Sequence, residues 1–176
     1  CREVVPDVAF VLTTADKKKT KKALGEFPML HHLAWDGPNG RALHSYGVRL
    51  QFYLTDEART AYHLWRTTGC PAHVRQVTEF ALKQNGTNLL NEDELPAFSS
   101  EKDIYASARL PYIEPELREG RQEVAEAHAG HLPHLIEAKD YKGDLHVHTD
   151  WSDGTASVEK MVEAAVQLGY EYLAIT

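Results

Sequence analysis

The chain has 176 residues, 43% hydrophobic and 26% charged, with a formal net charge of −7. That balance excludes a wholly disordered chain and a collagen-like repeat, and it leaves material for one sizeable core or two smaller ones. Two cysteines, Cys1 and Cys70, cannot make a disulfide framework, and no long uncharged apolar run is present to cross a bilayer, so a reducing, cytoplasmic setting is expected.

The chain begins without an initiator Met or an export signal and stops in the apolar stretch Tyr172-Leu173-Ala174-Ile175-Thr176, which reads as a fragment of a longer protein. Residues 4–14 are β-rich and apolar and predict a buried strand. Asp16 is placed to cap a short basic helix, Lys17-Lys18-Lys19-Thr20-Lys21-Lys22, ending near Gly25. This block fits either a solvated helix face or contact with phosphates. Three strands follow at 29–35, 41–46 and 48–54, the first two joined by the turn signal Asp36-Gly37-Pro38-Asn39-Gly40.

Helical patterning covers 56–66 and resumes over 72–84 after the break Thr67-Thr68-Gly69-Cys70-Pro71, with Asn85-Gly86 closing the second segment. Residues 87–98 predict a short hairpin, and Ser99 or Ser100 with Asp103 resembles a cap for a brief helix ahead of Pro111. After an acidic stretch, the segment 123–128 leads through Gly130 and Pro133 to a boundary expected near 139–143. Beyond it the pattern changes to strand (145–149), helix (Val158, Met161, Val162, Ala165, Val166) and strand (170–176), a βαβ start and hence a parallel sheet or barrel.

The most informative stretch is Asp144-Leu145-His146-Val147-His148-Thr149-Asp150-Trp151-Ser152-Asp153-Gly154. Residues two apart on a strand share a face, so His146 and His148 present both imidazoles together at the strand's C-terminal end. Asp153 lies in the following loop, which Gly154 lets turn sharply. A nitrogen and oxygen donor set suits Zn²⁺, Mn²⁺ or Fe²⁺ better than Mg²⁺ or Ca²⁺. The bland alternative is a strand with hydrogen-bonded core or surface histidines.

On these residues the stretch 144–176 resembles the opening of a polymerase and histidinol phosphatase (PHP) domain, with its His-x-His and following Ser-Asp-Gly. The resemblance implies a distorted (β/α) barrel that cleaves phosphoesters, with His146, His148 and Asp153 as ligands of Mn or Zn. Upstream, Leu110-Pro111-Tyr112-Ile113-Glu114-Pro115-Glu116-Leu117-Arg118-Glu119-Gly120 resembles the thumb-end motif of bacterial family X DNA polymerases, and Lys142-Gly143-Asp144-Leu145 the entry to their C-terminal PHP domain. Thr68-Gly69-Cys70 sits where that family has Thr-Gly-Ser, a helix-linking turn near primer and nucleotide, although Arg66 and Thr67 replace the usual aromatic pair.

The family's palm holds two metal ions, Mg or Mn, on a Gly-Asp-x-Asp strand and a third carboxylate nearby. Here Pro6-Asp7-Val8-Ala9 occupies the paired motif and Gln51 the third position, so Asp7 alone remains, as a vestigial palm carboxylate. The expected fold class is an α+β palm/thumb module of nucleotidyltransferase type followed by the first βαβ of a parallel α/β, distorted TIM-like barrel. Its expected parts are 1–55, a partial palm-like sheet; 56–138, a thumb-like region and linker; and 139–176, the start of the PHP domain.

The resemblance implies a monomeric DNA-repair enzyme of the bacterial nucleoid, without membrane association. It would act on gapped or primed duplex DNA as a metal-dependent 3′-5′ exonuclease and abasic-site endonuclease, with weak or lost synthesis from deoxynucleotides. A non-catalytic DNA-binding scaffold and a phosphatase for small metabolites are the competing readings. Six further histidines, His31, His32, His44, His128, His131 and His134, lack acidic companions at ligand spacing or fall around helix breakers. Cys70 reads as a substitute for a turn hydroxyl, and Trp35, Trp65 and Trp151 as core anchors, with base stacking a second option for Trp151.

Overall fold

The computed structural model describes residues 7–176, so Cys1, Pro6 and the first part of the expected strand 4–14 lie outside the described residues. The chain divides into two compact units, Cys1–Leu132 and Pro133–Thr176.

The first unit opens with strand β1 (Asp7–Thr13), helix α1 (Lys17–Gly25), and strands β2 (Leu30–Asp36), β3 (Asn39–His44) and β4 (Arg49–Thr55). They form one mixed sheet in the order β1-β4-β3-β2, with β1 parallel to β4 and the other two pairings antiparallel. Asp16 caps α1 as its position predicts, its side chain accepting the Lys19 N–H at 2.9 Å. Alternation along β3 and β4 turns Ala42, Leu50 and Phe52 into a core completed by Leu12, Leu24, Leu30, Leu33 and Trp35.

The helices of this unit are α2 (Glu57–Thr68), α3 (Pro71–Asn85), α4 (Glu101–Ser107) and α5 (Glu123–Ala129). They enclose a second, larger core containing Tyr62, Trp65, Val77, Leu89, Ile104, Tyr105 and Ile113, each 0% exposed. Asp56 caps α2, Gly86 ends α3 in the left-handed region at φ 77°, and Ser100 and Asp103 form a capping box for α4.

The hairpin expected over 87–98 is not formed: these residues are irregular apart from a single 3₁₀ turn at Glu92–Glu94. Their apolar side chains Leu89, Leu95 and Phe98 are buried in the helical core. Their carbonyls are served by side chains of α2 rather than by a partner strand. Tyr62 Oη donates to Leu89 O at 3.1 Å, and Arg59 donates to Leu95 O at 2.9 Å and Pro96 O at 3.2 Å. The apolar content that predicts a strand instead seals the end of the helical core.

The second unit contains β5 (Gly143–Val147), α6 (Val158–Gln167) and β6 (Tyr172–Ile175), with β5 and β6 paired in parallel. No helix among the described residues is long and apolar enough to cross a membrane.

Candidate metal centre and nucleic-acid contacts

Strand β5 ends at Val147, so His146 lies on the strand and His148 one residue beyond it. The two imidazoles nevertheless share one side, with their Nε2 atoms 2.9 Å apart and their rings edge to face. Each ring is held at its other nitrogen. Nδ1 of His146 is 3.0 Å from the hydroxyl of Thr176, and Nδ1 of His148 is hydrogen-bonded to the Asp153 carboxylate. That bond is the main cause holding the Asp153 carboxyl below its ordinary value.

The turn presenting Asp153 is fixed by its backbone. Thr149 O accepts from Ser152 N and Gly154 N at 3.0 Å each, and Asp150 N donates to Ala156 O at 2.9 Å. A Cβ on Gly154 would stand 2.7 Å from His148 O, so only glycine allows this approach. Trp151, at the tip of the turn, is 90% exposed.

The arrangement fits a divalent transition metal in its donor chemistry. A carboxylate accepting the Nδ1 proton fixes the imidazole tautomer with a free Nε2 lone pair, as metal-binding histidines require. Two nitrogens about 3 Å apart match neighbouring ligands on one ion with bonds of about 2.0–2.1 Å. Asp153 sits behind His148 rather than beside the two Nε2 atoms, and no group of three or more metal-holding side chains occurs among the described residues.

In the first unit, the pairing of β1 with β4 puts Ala9 in register with Gln51. Gln51 donates its amide N–H to the Asp7 carboxylate and accepts from Tyr53 Oη at 2.8 Å. The three positions singled out by the palm motif are therefore neighbours, but one carboxylate occupies them, and a neutral amide is bonded to it. An isolated carboxylate engaged in this way is a poor chelator of a hard cation.

Thr68 is the last residue of α2, and Gly69 and Cys70 link it to α3. Gly69 ends α2, and Cys70 is the N-cap of α3, its Sγ accepting the His73 N–H at 3.4 Å. The motif 110–120 docks on this turn: Cys70 N donates to Arg118 O at 3.1 Å, and a Cβ on Gly120 would stand 2.9 Å from both Cys70 Sγ and His73 N. Gly120 has φ +71°, a second reason for glycine.

Beneath the turn lies a polar network that sequence reasoning missed. His73 is 0% exposed; its Nδ1 is 2.7 Å from Glu123 Oε1 and its Nε2 2.8 Å from Tyr105 Oη. Glu123 also accepts the N–H groups of Gly120 and Arg121 at 2.7 Å each. Burial holds the His73 pKa below its ordinary value despite the opposing pull of Glu123. Glu123 is likewise held low: burial works against this, but His73 and three backbone N–H groups prevail. Burial pushes the Tyr105 phenol upward. Together these directions describe a neutral imidazole donating to a carboxylate and accepting from a phenol.

Alongside, Arg118 donates to Ile113 O at 2.9 Å and to Glu101 Oε1 at 2.7 Å, its guanidinium over the rings of Tyr105 and Tyr112.

Among the described residues, the six further histidines weighed from the sequence are not assembled into a metal-holding group. His31 bonds Ser45 Oγ at 3.0 Å, His134 lies 3.9 Å from Glu137, and the His128 ring packs on Phe80.

Residues 144–176 match the PHP domain family, and residues 63–119 match the DNA polymerase beta thumb family. The chain is 32% identical over 99% of its length to the protein named DNA polymerase/3'-5' exonuclease PolX of Bacillus subtilis (strain 168). It spans 32% of the length of that relative. The likeness to bacterial family X DNA polymerases with a PHP domain thus extends along nearly the whole chain.

Proposed function

We propose that this chain, on the strength of that likeness, is part of a DNA-repair enzyme whose PHP portion hydrolyses phosphodiesters at 3′ ends and abasic sites. His146 and His148 would hold Mn²⁺ or Zn²⁺, with Asp153 joining them as a ligand only on turning away from His148 Nδ1; the ion when bound supplies Lewis-acid activation of water and neutralises phosphate charge. The observation that carries the proposal is the facing pair of Nε2 atoms 2.9 Å apart, each ring anchored at its far nitrogen. Asp153 keeps the His148 proton on Nδ1, and the hydroxyl of Thr176 orients His146. Both rings then meet an incoming cation with little reorganisation.

In the same reading, the turn Thr68-Gly69-Cys70 lies along the backbone of a gapped or primed duplex, positioned by α2 and α3. The palm contributes DNA contact rather than efficient synthesis, because Gln51 and Ala9 supply no anion beside Asp7 and a single engaged carboxylate cannot organise two Mg²⁺ or Mn²⁺ ions. Deoxynucleotide incorporation is accordingly expected to be feeble.

The test is His148→Ala in the full-length protein. Mn²⁺-dependent cleavage of a primed duplex should disappear while DNA affinity is retained. Unchanged nuclease rates would refute the assignment. Parallel assays with a nitrophenyl phosphodiester and histidinol phosphate distinguish a nuclease from a metabolite phosphatase, and inactivity of the wild type on all three would favour a scaffold.

A further inference from the structure

We infer that the exposed lysines at the start of α1 form a DNA-phosphate contact separate from the turn between α2 and α3. The inference rests on the proposal that DNA is the partner, and it assigns a second surface to that partner.

Five of the chain's nineteen Lys and Arg residues fall within six positions, Lys17 to Lys22, in a protein of net charge −7. The helix they build has no buried residue and no acid in its first turn. Three lysines there oppose the helix dipole, which favours anions at this end. Lys17 with Lys21 and Lys18 with Lys22 add like-charge pairs at the spacing where side chains meet. Such an arrangement opposes the stability of its own helix, and the protein offers little inside itself to offset it.

The internal partners are confined to the second half of the block. Lys21 donates to Gly37 O at 2.5 Å and lies 4.8 Å from the centroid of the Trp35 ring. Lys22 approaches Glu26 at 3.8 Å. Lys17, Lys18 and Lys19 are exposed and, among the described residues, make no ion pair. Lys21 thus ties the helix to the sheet, Lys22 pairs with the helix's own C-cap, and Lys17, Lys18 and Lys19 project their cations into solvent.

Successive helical residues point about 100° apart, so these ammonium groups fan around one end of the helix, and a cluster of cations with no ion pair among the described residues is complementary to the negative charge of a duplex backbone, where each neutralised phosphate releases counterions. The Asp16 cap keeps the cluster helical despite its self-repulsion. Lysine, a strongly hydrated point charge, suits sequence-independent phosphate contact.

The experiment measures binding of the full chain to a fluorescent primed duplex over a range of NaCl concentrations. The variants are Lys17→Gln/Lys18→Gln/Lys19→Gln, the same three positions changed to Arg, and a charge-matched Lys139→Gln/Lys142→Gln/Lys160→Gln. The first variant is expected to bind more weakly and to flatten the plot of log Kd against log salt by about 2.7, roughly 0.9 for each phosphate. The Arg variant should keep the wild-type slope, and so should the charge-matched one.

The Gln variant should melt at or above the wild-type temperature, since repulsion is removed. An unchanged slope in the Gln variant, an equal loss in the charge-matched one, or a lowered melting temperature would each overturn the inference while leaving DNA as the partner. A wild type that does not bind the duplex would overturn the partner itself, and this surface with it.

Discussion

Gly120 is the position where one methyl group has the greatest leverage. Its positive φ and its approach to Cys70 and His73 leave no room for a Cβ, so Gly120→Ala should destabilise the first unit by about 2–4 kcal/mol, measured by urea unfolding. The same corner sets an acid sensitivity. His73 is held neutral below its ordinary value of 6.5, so as pH falls past that value the unfolded chain gains a proton that the folded chain refuses. Glu123, held below its ordinary 4.5, stabilises the fold above that value and loses the contribution as pH drops through its folded pKa. The two signs agree but act in successive windows: His73 alone should make the unfolding midpoint lower at about pH 5.5 than at about pH 7.5, and Glu123 adds a further loss only below its ordinary value. Equal midpoints would show that the imidazole is not buried uncharged. None of this was legible in the sequence, because His73 and Glu123 are 50 positions apart and carry no spacing that marks them as partners.

Elements whose signals are local were read from sequence with little error. The cap at Asp16, the capping box at Ser100 and Asp103, and the helix stop at Gly86 depend on residues a few positions apart, and each stands where its chemistry predicts. The segment 87–98 failed because its apolar residues obey a tertiary demand, filling the open end of the helical core. The pairing of β1 with β4 supplies the test at this scale. Ala9 and Gln51 are register partners, and Asp7 is bonded to Gln51, so Ala9→Asp/Gln51→Asp would place three carboxylates across two strands. Nucleotide incorporation on a primed template with Mg²⁺ should then rise well above the wild-type level, and no gain would mean that more than ligand charge has been lost from this palm-like sheet.

Across the whole molecule, the two units should respond differently to metal. At a Mn²⁺ concentration about a hundredfold above Kd, binding to the folded state alone stabilises by about 2.7 kcal/mol. The gain is expected in the unit that holds His146 and His148, reported by Trp151 fluorescence, and should vanish in His148→Ala; equal stabilisation of that variant would place the ion elsewhere. The sequence by itself determined the imidazole pair, the glycine-dependent turn after it and the basic helix, because each is a matter of residue identity at short spacing. Only the tertiary structure decided that Asp153 stands behind His148, that Gln51 occupies the Asp7 carboxylate, and that the motif 110–120 closes over the turn at Cys70 through a buried histidine. Those contacts join segments distant in the chain or fix the direction of a side chain, and such relations arise from packing and hydrogen-bond satisfaction rather than from any periodicity a single sequence displays.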